Sequence, residues 1–512
     1  MDLQAKVRLP HFFSSNMVLQ RDMPIRVWGK ADKNEVISVA LNGSVQTAKT
    51  GKDGIWRVEL PAMKAGGPYD MQIESAEETI GLTNILIGDV WVCSGQSNME
   101  FGLNNVINAG QEIAASTLPD IRLLNVPKNM QSKEQFDLEP CEWTACNPQT
   151  SPLFTAVGYF FGKELQPEIG VPVGLIHTSW GGTDIETWTS WETAVKTNDT
   201  YKKYAGKDQE KAMGYSMDNI RLYKEALKKD KGLVQKWYVP AYKTKGWKTM
   251  AVPKVWEAEL ANEDGIVWFR KTIDLPAGVT GKKARINLGA VDDEDLTYVN
   301  GVKVGEMNFW MPNRSYEIPA GVLKGGNNVI AVRITDTGGL GGILGKAEEV
   351  YLEIDGQRYS LAGDWVYKPS VVTSMYKVSG ISPNSFSSLL YNGMVHPLIG
   401  YGIKGVIWYQ GENNVGRATQ YRILLPLLIQ SWREEWGNDF PFYLVQLANY
   451  LERADEPGDS QWAELREAQR QTALYYDNVG MAVTIDIGDM NDIHPKNKQE
   501  VGRRLALLAR AD

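Results

Sequence analysis

Cysteine and histidine are the scarcest reactive residues in this 512-residue chain, which holds three of the first and four of the second. Cys93, Cys141 and Cys146 are too few for the dense disulfide framework of a small secreted domain or for a four-cysteine metal site. Cys141 and Cys146 are close enough in sequence either to pair across a short loop or to stay free thiols. No His-Glu-x-x-His run and no clustered Cys/His spacing occurs, so neither a metal nor another cofactor is expected. Apolar runs are short as well: none approaches the ~20 residues that span a bilayer, so no membrane partner is expected. Basic charge is not in excess. A net charge of -8 argues against a nucleic-acid partner, whose phosphates need clustered Lys and Arg. The first residues, Met-Asp-Leu-Gln-Ala-Lys, have no apolar signal core. That leaves a cytosolic protein or one whose export signal has been removed, and export is the expectation.

Aromatic residues are plentiful, with 17 tryptophans and 22 tyrosines to fill cores and to offer flat faces to sugar rings. A chain of this length holds about three domains on the usual scale. Over residues 1–84, short alternating runs such as Ile25-Arg-Val-Trp28 and Trp56-Arg-Val-Glu-Leu60 flank turn signals at Asn42-Gly43 and Asp53-Gly54. They predict an N-terminal β-sandwich, with His11 in it as a structural residue. Residues 85–232 alternate strand and helix patterns, ending in a charged stretch from Trp188 to Lys231 that reads as a solvated linking helix. Residues 233–370 return to alternating strands, including Val267-Trp-Phe-Arg-Lys-Thr-Ile273 and Asn328-Val-Ile-Ala-Val-Arg-Ile334, and predict an inserted all-β module. Residues 371–512 resume the α/β pattern. The expected fold class is therefore α/β, with a parallel sheet flanked by helices.

The chemistry gathers where the apolar strands stop. Ile85 to Cys93 is a β-branched run suited to a strand buried on both faces, and it ends in Ser94-Gly-Gln-Ser-Asn98. A serine just past the carboxyl end of such a strand sits where open α/β sheets place their sites, which makes Ser97 the candidate nucleophile. Taken alone, the same stretch also reads as a corner whose serine caps a helix. Three further strands run into polar loops on the same plan: Val171–His177 into Ser179-Trp-Gly-Gly-Thr183, Lys404–Tyr409 into Gln410-Gly-Glu-Asn-Asn414, and Val479–Ile485 into a loop reaching His494. With four histidines, a base can be sought by elimination. His494 follows the last sheet strand and precedes Pro495, which is placed to open the final helix; His396 sits in an apolar stretch and reads as structural; His177, ending a strand near Gly181, is the rival.

Gly95-Gln-Ser-Asn-Met99, Ser179-Trp-Gly-Gly-Thr183, Trp408-Tyr-Gln-Gly-Glu412 and Asp492-Ile-His-Pro495 resemble the ordered blocks of the SGNH (GDSL-like) hydrolases, in particular the sialate O-acetylesterase and carbohydrate acetylesterase branch. Met17-Val-Leu-Gln-Arg21 and Lys498-Gln-Glu-Val-Gly-Arg503 extend the likeness over most of the chain. The resemblance implies an SGNH-type doubly wound sheet and a serine esterase acting on an acetylated sugar or glycan through an acetyl-enzyme, with sialic acid, xylan or another glycan as the alcohol. It implies Ser97 and His494 as catalytic residues and Asp492 as the acid orienting the imidazole, with Asp489 or a Ser-His dyad as alternatives. For the oxyanion hole it implies the backbone of Ser97, of Gly181 or Gly182, and the amide of Gln410, or of Asn413 or Asn414 beside it. Gln96, Asn98, Glu412 and Asn413 would touch substrate. The inserted module resembles the jelly-roll modules attached to many glycosidases, most clearly over Asp292–Gly301. A non-catalytic sugar-binding protein is the competing class, separable by whether sugar binding occurs without hydrolysis. Glycoside hydrolysis would need two facing carboxylates, and no motif supplies them.

Overall fold

The computed structural model describes residues 7–197, 207–261, 263–308, 313–378, 382–453, 456 and 458–511. The chain forms two compact units, residues 1–210 with 382–512, and residues 211–381.

The first unit is built on one long strand, β1 (Thr79–Gly95), and its exposure pattern explains how. Over Thr79–Asn84 only Leu82 is buried, whereas Ile85 to Gly95 is buried without a break, as a strand covered on both faces must be. The first half pairs antiparallel with Gly66–Glu74, and Leu86–Gly88 pair parallel with Val18–Gln20. The second half is the centre of the parallel sheet. With β2 (Leu118–Asn125), β3 (Thr144–Cys146), β4 (Val173–Ser179), β5 (Gly405–Tyr409), β6 (Phe442–Val445) and β7 (Val479–Ala482), the order is β7-β6-β5-β1-β4-β2-β3. All of these neighbours run parallel except the short edge strand β3. The expected boundary at residue 84 thus falls inside a continuous strand. The N-terminal strands share one apolar core with the parallel sheet, because β1 carries both.

Alternation along β6 shows what covers the sheet. Tyr443 stacks on Trp91 with centroids 5.6 Å apart, and Trp91 meets Phe161 of helix α2 (Ala156–Ile169) edge-on at 5.0 Å. Its neighbour Phe442 points the other way, toward Trp408 and Trp432, the latter on helix α3 (Ala418–Trp436). Helix α4 (Gln461–Tyr475) accompanies α3, and helix α5 (Lys498–Ala511) packs on α2 so closely that a Cβ on Gly502 would lie 2.5 Å from that of Phe160.

The second unit contains two six-stranded antiparallel sheets around a core that includes Trp256, Phe269, Ile286, Val332 and Trp365. Residues 211–228 of the helix Lys207–Lys228 fall in this unit, whereas the sequence reading placed that stretch in the catalytic segment as a solvated linker. Tyr223, Ala226 and Leu227 form an apolar stripe at helical spacing and pack against Trp268 and its neighbours. The expected limits 233–370 accordingly widen to 211–381; residues 198–206 of the predicted linker lie outside the described residues. Cys93, Cys141 and Cys146 are all free thiols. Among the described residues no helix is long and apolar enough to cross a membrane.

Candidate active site

Parallel register brings three strand ends level, because Ser179 of β4 and Tyr409 of β5 both lie opposite Gly95 of β1. Gly95 adopts φ +142, and a Cβ there would stand 2.0 Å from Tyr409 O, so only glycine lets the strands close up before the chain turns. Helix α1 (Ser97–Glu100) starts immediately afterwards, which lifts Ser97 out of the buried run to partial exposure.

Ser97 Oγ lies 2.8 Å from His494 Nε2, although the two residues are 397 positions apart. With a neutral imidazole protonated on Nδ1, the hydroxyl donates to Nε2. The ring is half-buried and stacks beside Phe101, with centroids 6.4 Å apart. Burial, and then the nearby ammonium of Lys498, hold the His494 pKa below the ordinary value of 6.5, with Asp492 acting in the opposite direction. The final helix begins at Lys498, three residues after Pro495, so the proline ends the histidine loop instead of opening the helix.

The carboxylate of Asp492 is loosely associated with the ring. Its Oδ1 is 3.7 Å from Nδ1 and accepts the backbone N–H of His494 at 2.9 Å. Asp489 Oδ1 accepts the backbone N–H of Asn491 and makes no contact with His494 among the described residues.

Several residues expected at the substrate serve the frame instead. Gln96 is buried, and its Oε1 accepts the backbone N–H groups of Gly411 and Asn413, tying the serine turn to the third block. Gln410, expected to point its amide at an oxyanion, has no exposed surface. Its Nε2 donates to Thr183 O and Asn414 Oδ1, and its Oε1 accepts from Tyr421. Asn414 is committed likewise, accepting from the backbone of Ile185 and donating to Glu186. Asn413 is exposed but donates to Asp184 at 2.5 Å, beside the Arg417 bridge to Asp184 and Glu186. Asn98 and Glu412 are buried against each other. Buried amides and carboxylates call for partners, and these blocks supply them to one another across strand ends, except at Glu412 Oε2, which has no hydrogen-bond partner among the described residues.

Gly181 lies at the serine, whereas a Cβ on its neighbour Gly182 would meet nothing within 4 Å. A Cβ on Gly181 would be 3.2 Å from that of Ser97, so a side chain there would crowd the hydroxyl. The Gly181 N–H, however, donates to Glu100 Oε2 at 2.5 Å, and Glu100 is bridged to Lys128 at 2.6 Å. The backbone N–H groups of Ser97 and Gly182 have no acceptor among the described residues. Asn384 holds the Gly182 loop from outside, donating to Gly182 O and accepting from Asp184 N. Sequence reasoning assigned nothing to Glu100, Lys128 or Asn384.

His177, the rival base, makes a second Ser-His contact. Its Nε2 is 2.6 Å from Ser179 Oγ and its Nδ1 is 2.8 Å from Asn125 Oδ1. Burial pushes its pKa down to about 3, and Ser179 is only 4% exposed, so this pair meets no substrate. Ser179→Ala should leave esterase turnover within about twofold of wild type while costing about 1–3 kcal/mol of stability, as His177 loses a buried partner. Parallel activity and chemical-denaturation measurements check this. His11 bonds to Asp137 and Leu138, and His396 to Gln135 and Glu134; neither approaches Ser97. Among the described residues no three His, Cys, Asp or Glu side chains form a group able to hold a metal.

A parallel α/β sheet whose central strand ends in a partly exposed serine, hydrogen-bonded to a histidine from the last sheet loop, has the nucleophile-and-base geometry that hydrolysis through a serine requires. The profile of the carbohydrate esterase, sialic acid-specific acetylesterase family matches residues 87–223 and 379–510, and the chain belongs to that family. The sialate O-acetylesterase of Rattus norvegicus is 25% identical over 98% of this chain and 73% of its own length, and that of Homo sapiens 24% over 98% and 70%. A crystal structure of a carbohydrate acetylesterase from Xanthomonas citri aligns over 99% of this chain and 75% of that one, with 27% identity and a TM-score of 0.61. Residues 234–339 match a second family, the β-galactosidase second all-β domain.

Proposed function

We propose that this chain is a serine esterase of SGNH type that removes O-acetyl groups from carbohydrates by way of an acetyl-enzyme. The observation that carries the reading is the 2.8 Å contact between Ser97 Oγ and His494 Nε2 at the carboxyl edge of the sheet. Ser97 attacks the acetyl carbonyl as His494 takes its proton; His494 then protonates the departing sugar oxygen, and water, deprotonated by the same ring, releases acetate. The unpaired N–H groups of Ser97 and Gly182 are the donors for the tetrahedral oxyanion, and the Gly181 N–H joins them if Glu100 swings aside. Acetylated sialic acid is the first substrate to test, because the relatives are sialate O-acetylesterases, and acetylated xylan is the second. Acetate release across a panel of O-acetylated sugars tests the reading. Binding of those sugars with no acetate released would favour the non-catalytic alternative.

Two predictions arise from the geometry of the base. His494 must be neutral to accept a proton, and the neutral fraction grows as pH rises through its pKa. Since that pKa is held below 6.5, the acid limb of kcat/KM should have its midpoint below pH 6.5. A pH–rate profile on a non-ionising acetyl ester reads it directly. Asp492→Asn should lower kcat by about 10- to 100-fold, well short of the ~10⁴-fold loss seen where an aspartate is tightly bonded to the ring, because here the carboxylate stands 3.7 Å off. A loss as large as the latter would show that Asp492 closes on the imidazole during turnover.

A further inference from the structure

Behind the Ser97–His494 pair lies a buried charged cluster that the proposed reaction leaves unused. Lys498, the first residue of α5, has no exposed surface. Its ammonium donates to Asn98 Oδ1 and faces the rings of Phe101 and Tyr409 at 4.9 and 5.2 Å. The same Asn98 amide donates from Nδ2 to Glu412 Oε1 at 2.5 Å and to Ile493 O at 2.9 Å. Asn98 follows the candidate nucleophile in sequence and Ile493 precedes the candidate base. One amide therefore joins the turn carrying Ser97 to the loop carrying His494. An ammonium only donates, so Lys498 selects which end of that amide it meets and leaves the NH₂ group for Ile493.

Resting on the esterase reading above, we propose that Lys498 is a positioning residue, which through Asn98 sets the placement of His494 against Ser97 and whose charge opposes protonation of the imidazole. The charged groups acting on His494 are Lys498 from α5 and Asp492 from its own loop; Ser97 of α1 and Phe101 just after it are neutral, the α1 carboxylate Glu100 is engaged by Lys128 and the Gly181 N–H, and Glu412 acts on Lys498 from the far side of Asn98. Burial lowers the Lys498 pKa to about 7, against the pull of Glu412 and Asp492, so Lys498 still holds its proton in the acid range where the imidazole titrates.

The test uses Lys498→Met together with Lys498→Met/Glu412→Gln, since the single change leaves the buried Glu412, whose pKa burial already raises, without the nearby ammonium, and the double change removes both titratable groups. Two readouts are taken on the full chain: the pH profile of kcat/KM for acetate release, and the pH titration of the His494 ring by NMR on histidine-labelled protein, in which His494 is one of only four histidines. The expected result in the folded double variant is a fall of about 100-fold in kcat/KM at neutral pH, typical of misplaced reacting groups. Both the acid limb and the ring titration should move to higher pH. A purely structural lysine would lower activity evenly across pH and leave the ring titration where it is, and that result would overturn the proposal. The NMR titration needs no turnover, so it judges Lys498 even if wild type releases no acetate. That last outcome, or a Ser97→Ala variant as active as wild type, would instead sink the esterase reading.

Discussion

Ser97→Ala should lower kcat for acetate release by about four to six orders of magnitude while leaving KM and the fold nearly unchanged. The size of the loss follows from what the hydroxyl does. Among the described residues it is the only group at this strand end that combines partial exposure, a base within 2.8 Å and neighbouring N–H groups without acceptors. Removing it abolishes the covalent route and leaves only whatever polarisation those N–H groups give to water attack. Stability should move by less than about 1 kcal/mol, since the lost oxygen is not an enclosed polar group. Single-turnover acetate release and a thermal melt on the same preparation separate the two effects. A variant that keeps more than a tenth of wild-type kcat would place the nucleophile elsewhere.

His494→Ala should cost about four orders of magnitude or more in kcat, because Ser97 then has no base within reach. Its non-additivity is as informative as its size. Residues that act as one unit lose their joint effect when either is removed, so Ser97→Ala/His494→Ala should be no slower than the worse single variant. If His494 instead acted independently, for example by binding substrate, the double variant would show the product of the two losses. His177 does not replace it: that ring is sealed beneath Ser179 and Asn125 and stays neutral at every working pH.

The placement of the strand ends was readable in the sequence because a strand buried on both faces leaves a continuous apolar run that stops abruptly, as Ile85 to Cys93 does. The Ser97–His494 contact followed from the scarcity of histidine and from the ordered blocks. What the blocks did not reveal was which of their polar residues face outward. Gln96, Gln410 and Asn414 carry side chains suited to binding a sugar, yet each is consumed by the opposing backbone or amide, and no local pattern distinguishes an amide aimed at solvent from one aimed at the next strand. Lys498 was overlooked for a similar reason: a lysine at the start of a helix reads as solvated, and only the meeting of α1, the Glu412 loop and α5 buries it. The unbroken strand through residue 84 escaped notice because its exposure pattern changes midway while the backbone continues. The helix Lys207–Lys228 reads as charged in sequence because Tyr223, Ala226 and Leu227, which pack on the β unit, are set among charged residues.

A serine-directed phosphonate, followed by peptide mapping, tests the central claim most directly. The account predicts a single adduct on the peptide that carries Ser97, formed in step with loss of acetate release, absent from Ser97→Ala and slowed in His494→Ala. An adduct on another serine such as Ser179, or full acetate release from protein whose Ser97 stays unlabelled, would contradict it.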